Sequence, residues 1–155
     1  MFSIRGLICS FALLVAAPAI AQQPLTLSGD VKVQKTQISD DGETKVEYVD
    51  PDVVVPGDRV VFSTSYENTG AETVEDFVVT NPLPSAVRLA DDADPELSVS
   101  VDGGESWGKL AELKVEDAPG VSRDAQAADV THIRWTLAEV KPGEKGRLEY
   151  HAIIR

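Results

Sequence analysis

Residues 56–70 read PGDRVVFSTSYENTG, and this stretch decides the fold class. Proline holds φ at about −65° and the glycine after it permits a positive φ, so Pro56-Gly57-Asp58 is a strong turn signal. From Arg59 to Glu67 the side chains alternate. Val60, Phe62, Thr64 and Tyr66 fall on one face, and Val61, Ser63, Ser65 and Glu67 on the other. A period of two marks a strand, because successive Cβ atoms point to opposite faces of a sheet. Asn68-Thr69-Gly70 then turns the chain.

The same grammar continues in both directions. Upstream, Val31–Gln37 and Thr44–Val49 flank Ser39-Asp40-Asp41-Gly42 and form an expected hairpin. Val53-Val54-Val55 lead into the Pro56 turn. Downstream, Val74–Thr80 is a strand ended by Asn81-Pro82-Leu83-Pro84, and Val87–Ala90 is a short strand. Leu97–Val101 and Trp107–Leu110 flank Asp102-Gly103-Gly104 as a second hairpin, and Leu113–Val115 adds a short strand. Glu116–Asp129, polar and rich in Ala, Gly and Asp, reads as a long loop with a short helical turn around Ala125–Ala128. Val130–Leu137 presents Ile133, Trp135 and Leu137 to the core, Lys141-Pro142-Gly143-Glu144 turns, and Arg147–Ile154 closes with Leu148, Tyr150, Ala152 and Ile154 inward. Roughly eight to ten short strands at this spacing predict an all-β antiparallel β-sandwich. It is one domain with no internal repeat.

The first residues, MFSIRGLICSFALLVAAPAIAQQ, read as a secretory leader over 1–21. Arg5 is the positive start, Gly6–Ala17 the uncharged apolar core, and Ala19-Ile20-Ala21 the small-x-small pattern that precedes cleavage between Ala21 and Gln22. A membrane span needs roughly 20 apolar residues, and Pro18 interrupts this run. The single cysteine, Cys9, lies at the front of the apolar core, where a lipoprotein cysteine does not sit. Cleavage removes it. Residues 22–155 are then a thiol-free domain held by its core, without disulfides or thiolate metal sites. A formal net charge of −12 repels nucleic acid and anionic lipid. The expectation is an exported, soluble chain, periplasmic or secreted, with no membrane insertion of the mature form.

The segment 56–70, continued through VEDFVVTNPLP at 74–84 and through Trp135-Thr136-Leu137, Lys141-Pro142-Gly143 and Tyr150, resembles the surface-repeat family of bacteria and archaea known as domain of unknown function eleven. Asn81-Pro82 stands where that family more often has Asp-Thr. The resemblance covers a core of 52–155, leaving 25–50 as an N-terminal hairpin outside its firm part, together with 91–129. It implies an immunoglobulin-like sandwich in an envelope or secreted protein, with no catalytic residues. Members often carry tandem copies, whereas this chain has one.

Four constellations bear on chemistry. Ser100-Val101-Asp102-Gly103-Gly104-Glu105-Ser106-Trp107 resembles the Asp-box hairpin, in which the carboxylate accepts backbone N–H groups across a turn. That is a folding device, with an exposed Trp107 as a sugar platform the functional alternative. The loop Asp91, Asp92, Asp94 and Glu96 offers carboxylates to calcium, which takes six to eight oxygens. The EF-hand spacing fails there, since Leu97 and Gly103 stand where glycine and glutamate belong. Asp40, Asp41 and Glu43 form a second acidic turn of the same kind. His132 and His151 alternate with charged neighbours and so belong to outer faces. No G-x-S-x-G occurs, and spacing supplies no third zinc ligand.

The expected function is therefore a non-catalytic interaction or structural module whose partner is a protein of the cell envelope. It needs no cofactor, and its binding surface is a sheet edge or the loop at 116–129. The alternative is a calcium- or carbohydrate-binding module, and an enzyme using His132 or His151 ranks behind both.

Overall fold

The computed structural model describes residues 25–39 and 41–155. The leader at 1–21, its cleavage point and Asp40 lie outside the described residues. In chain order the strands are β1 (Leu25–Ile38), β2 (Thr44–Val49), β3 (Arg59–Asn68), β4 (Val74–Pro82), β5 (Val87–Leu89), β6 (Ser98–Ser100), β7 (Gly108–Lys109), β8 (Lys114–Ala118), β9 (Val121–Asp124), β10 (His132–Val140) and β11 (Lys145–Ile154).

The alternating stretch at 59–67 becomes β3, the middle strand of a five-stranded antiparallel sheet ordered β2-β1-β3-β11-β5. A four-stranded sheet ordered β4-β10-β6-β7 packs against it, which makes the expected immunoglobulin-like sandwich. The core lies between the two sheets. Val33, Val60, Val99, Ile133 and Val140 are fully buried there, and each such side chain contributes roughly 1.5–3 kcal/mol of burial. Phe62 stacks on Tyr150 with ring centroids 5.0 Å apart, and Trp135 of the facing sheet meets the same tyrosine at 6.1 Å. Burial pushes the Tyr150 phenol up to about 12.

Both expected Pro-Gly turns form, and each is fastened to a distant strand. Gly57 (φ +96°) donates its N–H to the Ile154 carbonyl, 2.9 Å away. Gly143 (φ +76°) donates to the Asn68 carbonyl at 2.8 Å, and the Asn68 N–H donates to Glu144 at 2.9 Å. Gly146 meets a different demand. A Cβ there would come within 2.2 Å of the Tyr66 hydroxyl, so the tyrosine ring occupies the space a side chain would need.

Three expectations need correction. Residues 116–129 are not a long loop. β8 and β9 pair as a two-stranded ribbon with a bulge, and a 3-10 turn follows at Ala127–Asp129. Arg123 holds the ribbon to that turn, forking onto Asp129 at 2.6 and 2.8 Å and donating from Nε to Asp117 at 2.9 Å. β1 begins at Leu25, not Val31, and pairs with β3 from Leu25↔Asn68 to Gln34↔Arg59, so the N-terminal segment is built into the sandwich. β4 runs on through Asn81-Pro82, which the proline permits because β4 is an edge strand.

Candidate functional site

The Asp102 hairpin is built around one carboxylate. Asp102 Oδ1 accepts from the Ser100 hydroxyl (2.7 Å) and the N–H groups of Glu105 and Ser106 (3.0 Å each). Oδ2 accepts from the Ser106 N–H (3.0 Å) and the Ser106 hydroxyl. The Ser100 and Ser106 bonds hold this carboxyl well below the usual carboxylate range. Trp107 closes the turn, with its indole N–H donating to the Gly104 carbonyl at 3.0 Å. The Arg134 guanidinium lies 4.2 Å from the Trp107 ring centroid, and His132 meets the ring edge-on at 6.3 Å. Its face, the candidate sugar platform, therefore carries a cation.

Each carboxylate of the candidate calcium loop has a different partner. Asp91 accepts from Arg88 at 2.8 Å, Asp92 from Arg59 at 2.7 Å, and Glu96 pairs with Lys109 at 2.6 Å. Asp94 accepts the Glu96 N–H at 2.9 Å, and the Arg59 bond holds Asp92 below its ordinary range. Asp41, of the second acidic turn, accepts from the Ser39 hydroxyl. Among the described residues no group of three or more His, Cys, Asp or Glu side chains is placed to hold a metal.

Both histidines lie on outer faces, as their strand register predicts. His132 Nδ1 is 3.1 Å from the Thr131 hydroxyl, which itself donates to the Ser100 carbonyl at 3.1 Å. His151 Nδ1 accepts from Arg59 at 2.9 Å. The nearby Ser63 hydroxyl is bonded to Glu149 (2.9 Å) and Arg147 (2.6 Å) instead. No serine–histidine couple arises from these contacts.

The remaining feature is an overhang that sequence reasoning missed. β1 pairs with β3 only as far as Gln34, and with β2 from Val33 to Ile38, so beyond Gln34 the β1–β2 hairpin projects from the sheet. On the face continuous with the outside of the sheet it carries Thr36, Ile38, Thr44, Val46 and Tyr48, uncharged and exposed. Ile38 is 76% exposed and Tyr48 53%. The opposite face, on the core side, carries Lys35, Gln37, Lys45 and Glu47. The usual polarity of a sandwich strand is thus inverted in the hairpin. Alternate spacing of β-branched residues was visible in the sequence, but spacing alone does not say which face of a hairpin meets the core.

Free edges differ in how they are blunted. β5 has three residues, and the Arg155 guanidinium covers its flank by donating to the carbonyls of Val87 and Ala128, each at 2.7 Å. β7 has two residues. β4 is long, but it carries Glu75, Pro82 and Asp76, whose φ of +49° is the one positive value at a non-glycine among the described residues. Such charges, prolines and kinks discourage pairing. β2 carries charge at Lys45 and Glu47, but it has neither a proline nor a positive φ. A shallow groove of about 580 Å³ also opens beside β1, lined by Leu27, Val31, Phe62, Asn81, Pro82 and Tyr150 among others.

No family model, no curated protein and no solved structure matches this chain. The fold itself defines the class, an all-β antiparallel sandwich. No helix among the described residues is long and apolar enough to cross a membrane.

Proposed function

We propose that this chain is an exported, non-catalytic β-sandwich module of the cell envelope, free in the periplasm or the medium, that works by binding a protein at its β2 edge. The observation that carries the reading is the projecting hairpin, which offers a six-residue free strand edge without proline or kink and an uncharged face on a chain of net charge −12. A strand edge supplies main-chain hydrogen bonds to a partner strand, and flanking side chains select it. The leader at 1–21 and the likeness of 56–84 to domain of unknown function eleven support the envelope setting. The calcium- or carbohydrate-binding alternative has no comparable support, since the loop carboxylates face separate partners and Arg134 lies on Trp107.

The test is a photo-crosslinking side chain placed at Val46 in the producing cells, with Val78 on β4 as the control position. The reading expects a discrete protein adduct from Val46 and not from Val78, on a chain whose N-terminus is Gln22. Adducts equal at both positions, or none at Val46, would overturn it.

A further inference from the structure

The backbone of β2 shows which of its groups are unpaired. The Ser39 N–H donates to the Glu43 carbonyl at 2.9 Å, so position 43 is hydrogen-bonded to β1. An antiparallel ladder alternates, and the register Gln37↔Lys45, Lys35↔Glu47 and Val33↔Val49 therefore turns residues 45, 47 and 49 toward β1 as well. Thr44, Val46 and Tyr48 point their N–H and C=O groups out of the free edge.

Side-chain chemistry then discriminates among registers. Pleating requires that residues paired across an antiparallel edge lie on the same face. For two identical β2 edges related by a two-fold axis, the most extensive overlaps centre on Lys45, Val46 or Glu47. Centring on Lys45 sets lysine against lysine, and centring on Glu47 sets glutamate against glutamate. Centring on Val46 sets Lys45 against Glu47 of the second copy, and Glu47 against its Lys45. The row across the joint then reads Lys35, Glu47, Lys45, Gln37, with signs alternating wherever there is charge. On the other face, Val46 meets Val46 and Thr44 meets Tyr48, joining the two uncharged hairpin faces into one stripe. Among the described residues Lys45 makes no ion pair within its own chain.

We infer that the β2 edge pairs with the β2 edge of a second copy of this chain, antiparallel about a two-fold axis at Val46. Thr44, Val46 and Tyr48 supply the main-chain bonds, and Lys45 and Glu47 set the register. The joint is isologous, so each surface patch meets itself. It is small, of the size found in transient contacts. This inference rests on the binding role proposed above and names its partner.

The experiment is sedimentation across a concentration series of the chain beginning at Gln22, which keeps every described strand. The wild type is expected to form a reversible dimer. Lys45→Glu and Glu47→Lys each set like charges face to face twice, and each should raise the dissociation constant by about tenfold or more. Mixing the two variants restores opposite charges at both positions and should recover a mixed dimer. The double variant Lys45→Glu/Glu47→Lys should recover the homodimer. A hairpin that had merely failed to fold could not be rescued by mixing. A chain monomeric at every concentration, or a dimer indifferent to these exchanges, overturns the inference. If such a monomeric chain still gives a Val46 adduct with a different protein in cells, the second copy is excluded and the binding role stands; with no Val46 adduct, both fall.

Discussion

Asn68, at the end of β3, donates its side-chain amide to the carbonyl of Val140, at the end of β10, over 2.8 Å, and so ties one sheet to the other. The same amide donates to the Glu72 carbonyl at 2.8 Å, and its oxygen accepts the Gly70 N–H at 2.9 Å. The residue is fully buried. One side chain thereby closes the β3–β4 turn and fastens the end of the sandwich. Replacing it with alanine leaves these backbone groups without their partner, and an unsatisfied buried group costs about 1–3 kcal/mol. Asn68→Ala should therefore lower unfolding stability by about 2–4 kcal/mol in urea denaturation. A loss below about 1 kcal/mol would show that the tie is dispensable.

Gly146→Ala tests the closeness of Tyr66. The new methyl would overlap the tyrosine ring, whose nearest atoms lie 2.2 to 2.6 Å from the added carbon. Overpacking of this kind costs about 1–3 kcal/mol. Shrinking Tyr66 to leucine should recover part of that loss, so the double variant should be less destabilised than the two singles summed. Additive effects would place the strain elsewhere.

Acid stability should follow two carboxylates. Asp129 is pushed down to about 2 by the Arg123 fork, and Asp102 is held lower still than its ordinary value by Ser100 and Ser106. A carboxyl with a depressed folded pKa binds fewer protons than in the unfolded chain, so stability rises with pH through this range. The contribution is fully present above the unfolded value of 3.8 and fades as pH falls toward the folded values. Melting temperature should drop as pH is lowered from about 4 to 2. Asp129→Asn and Asp102→Asn should each melt lower at neutral pH and show a flatter acid limb.

Calcium should leave the melting temperature unmoved, because Asp91, Asp92 and Glu96 are each engaged by a separate cation. Saturating a site to 100 times its dissociation constant would add about 2.7 kcal/mol. A rise of that size would restore the acidic loop as a calcium site.

Legibility in the sequence followed the reach of the forces involved. The alternation at 59–67 was plain because β3 is central and one of its faces meets the core. Alternation separated its two faces but not their burial, and on the second face Val61 and Ser63 are buried too. On β11, a neighbour far along the chain, Arg147 and Glu149 bond Ser63, and His151 stands opposite Val61. The β8–β9 ribbon was missed because polar residues hide its period and an arginine fork holds it in place of a core; Pro119-Gly120 was the available turn signal. The first half of β1 was missed because Gly29 interrupts an otherwise alternating run. In the candidate site, Asp102 and both outward histidines were readable from local spacing. The hairpin edge was not, because where a sheet stops depends on the length of neighbouring strands.

The most direct measurement of the central claim is amide hydrogen exchange on β2 across a concentration series. The N–H groups of Thr44, Val46 and Tyr48 point out of the free edge in the single chain and should exchange freely when dilute. The account predicts that these three slow together as the edge becomes occupied, while β4 from Glu75 to Asn81 is unchanged. Association without slowing at Val46, or with slowing on β4 instead, would contradict it.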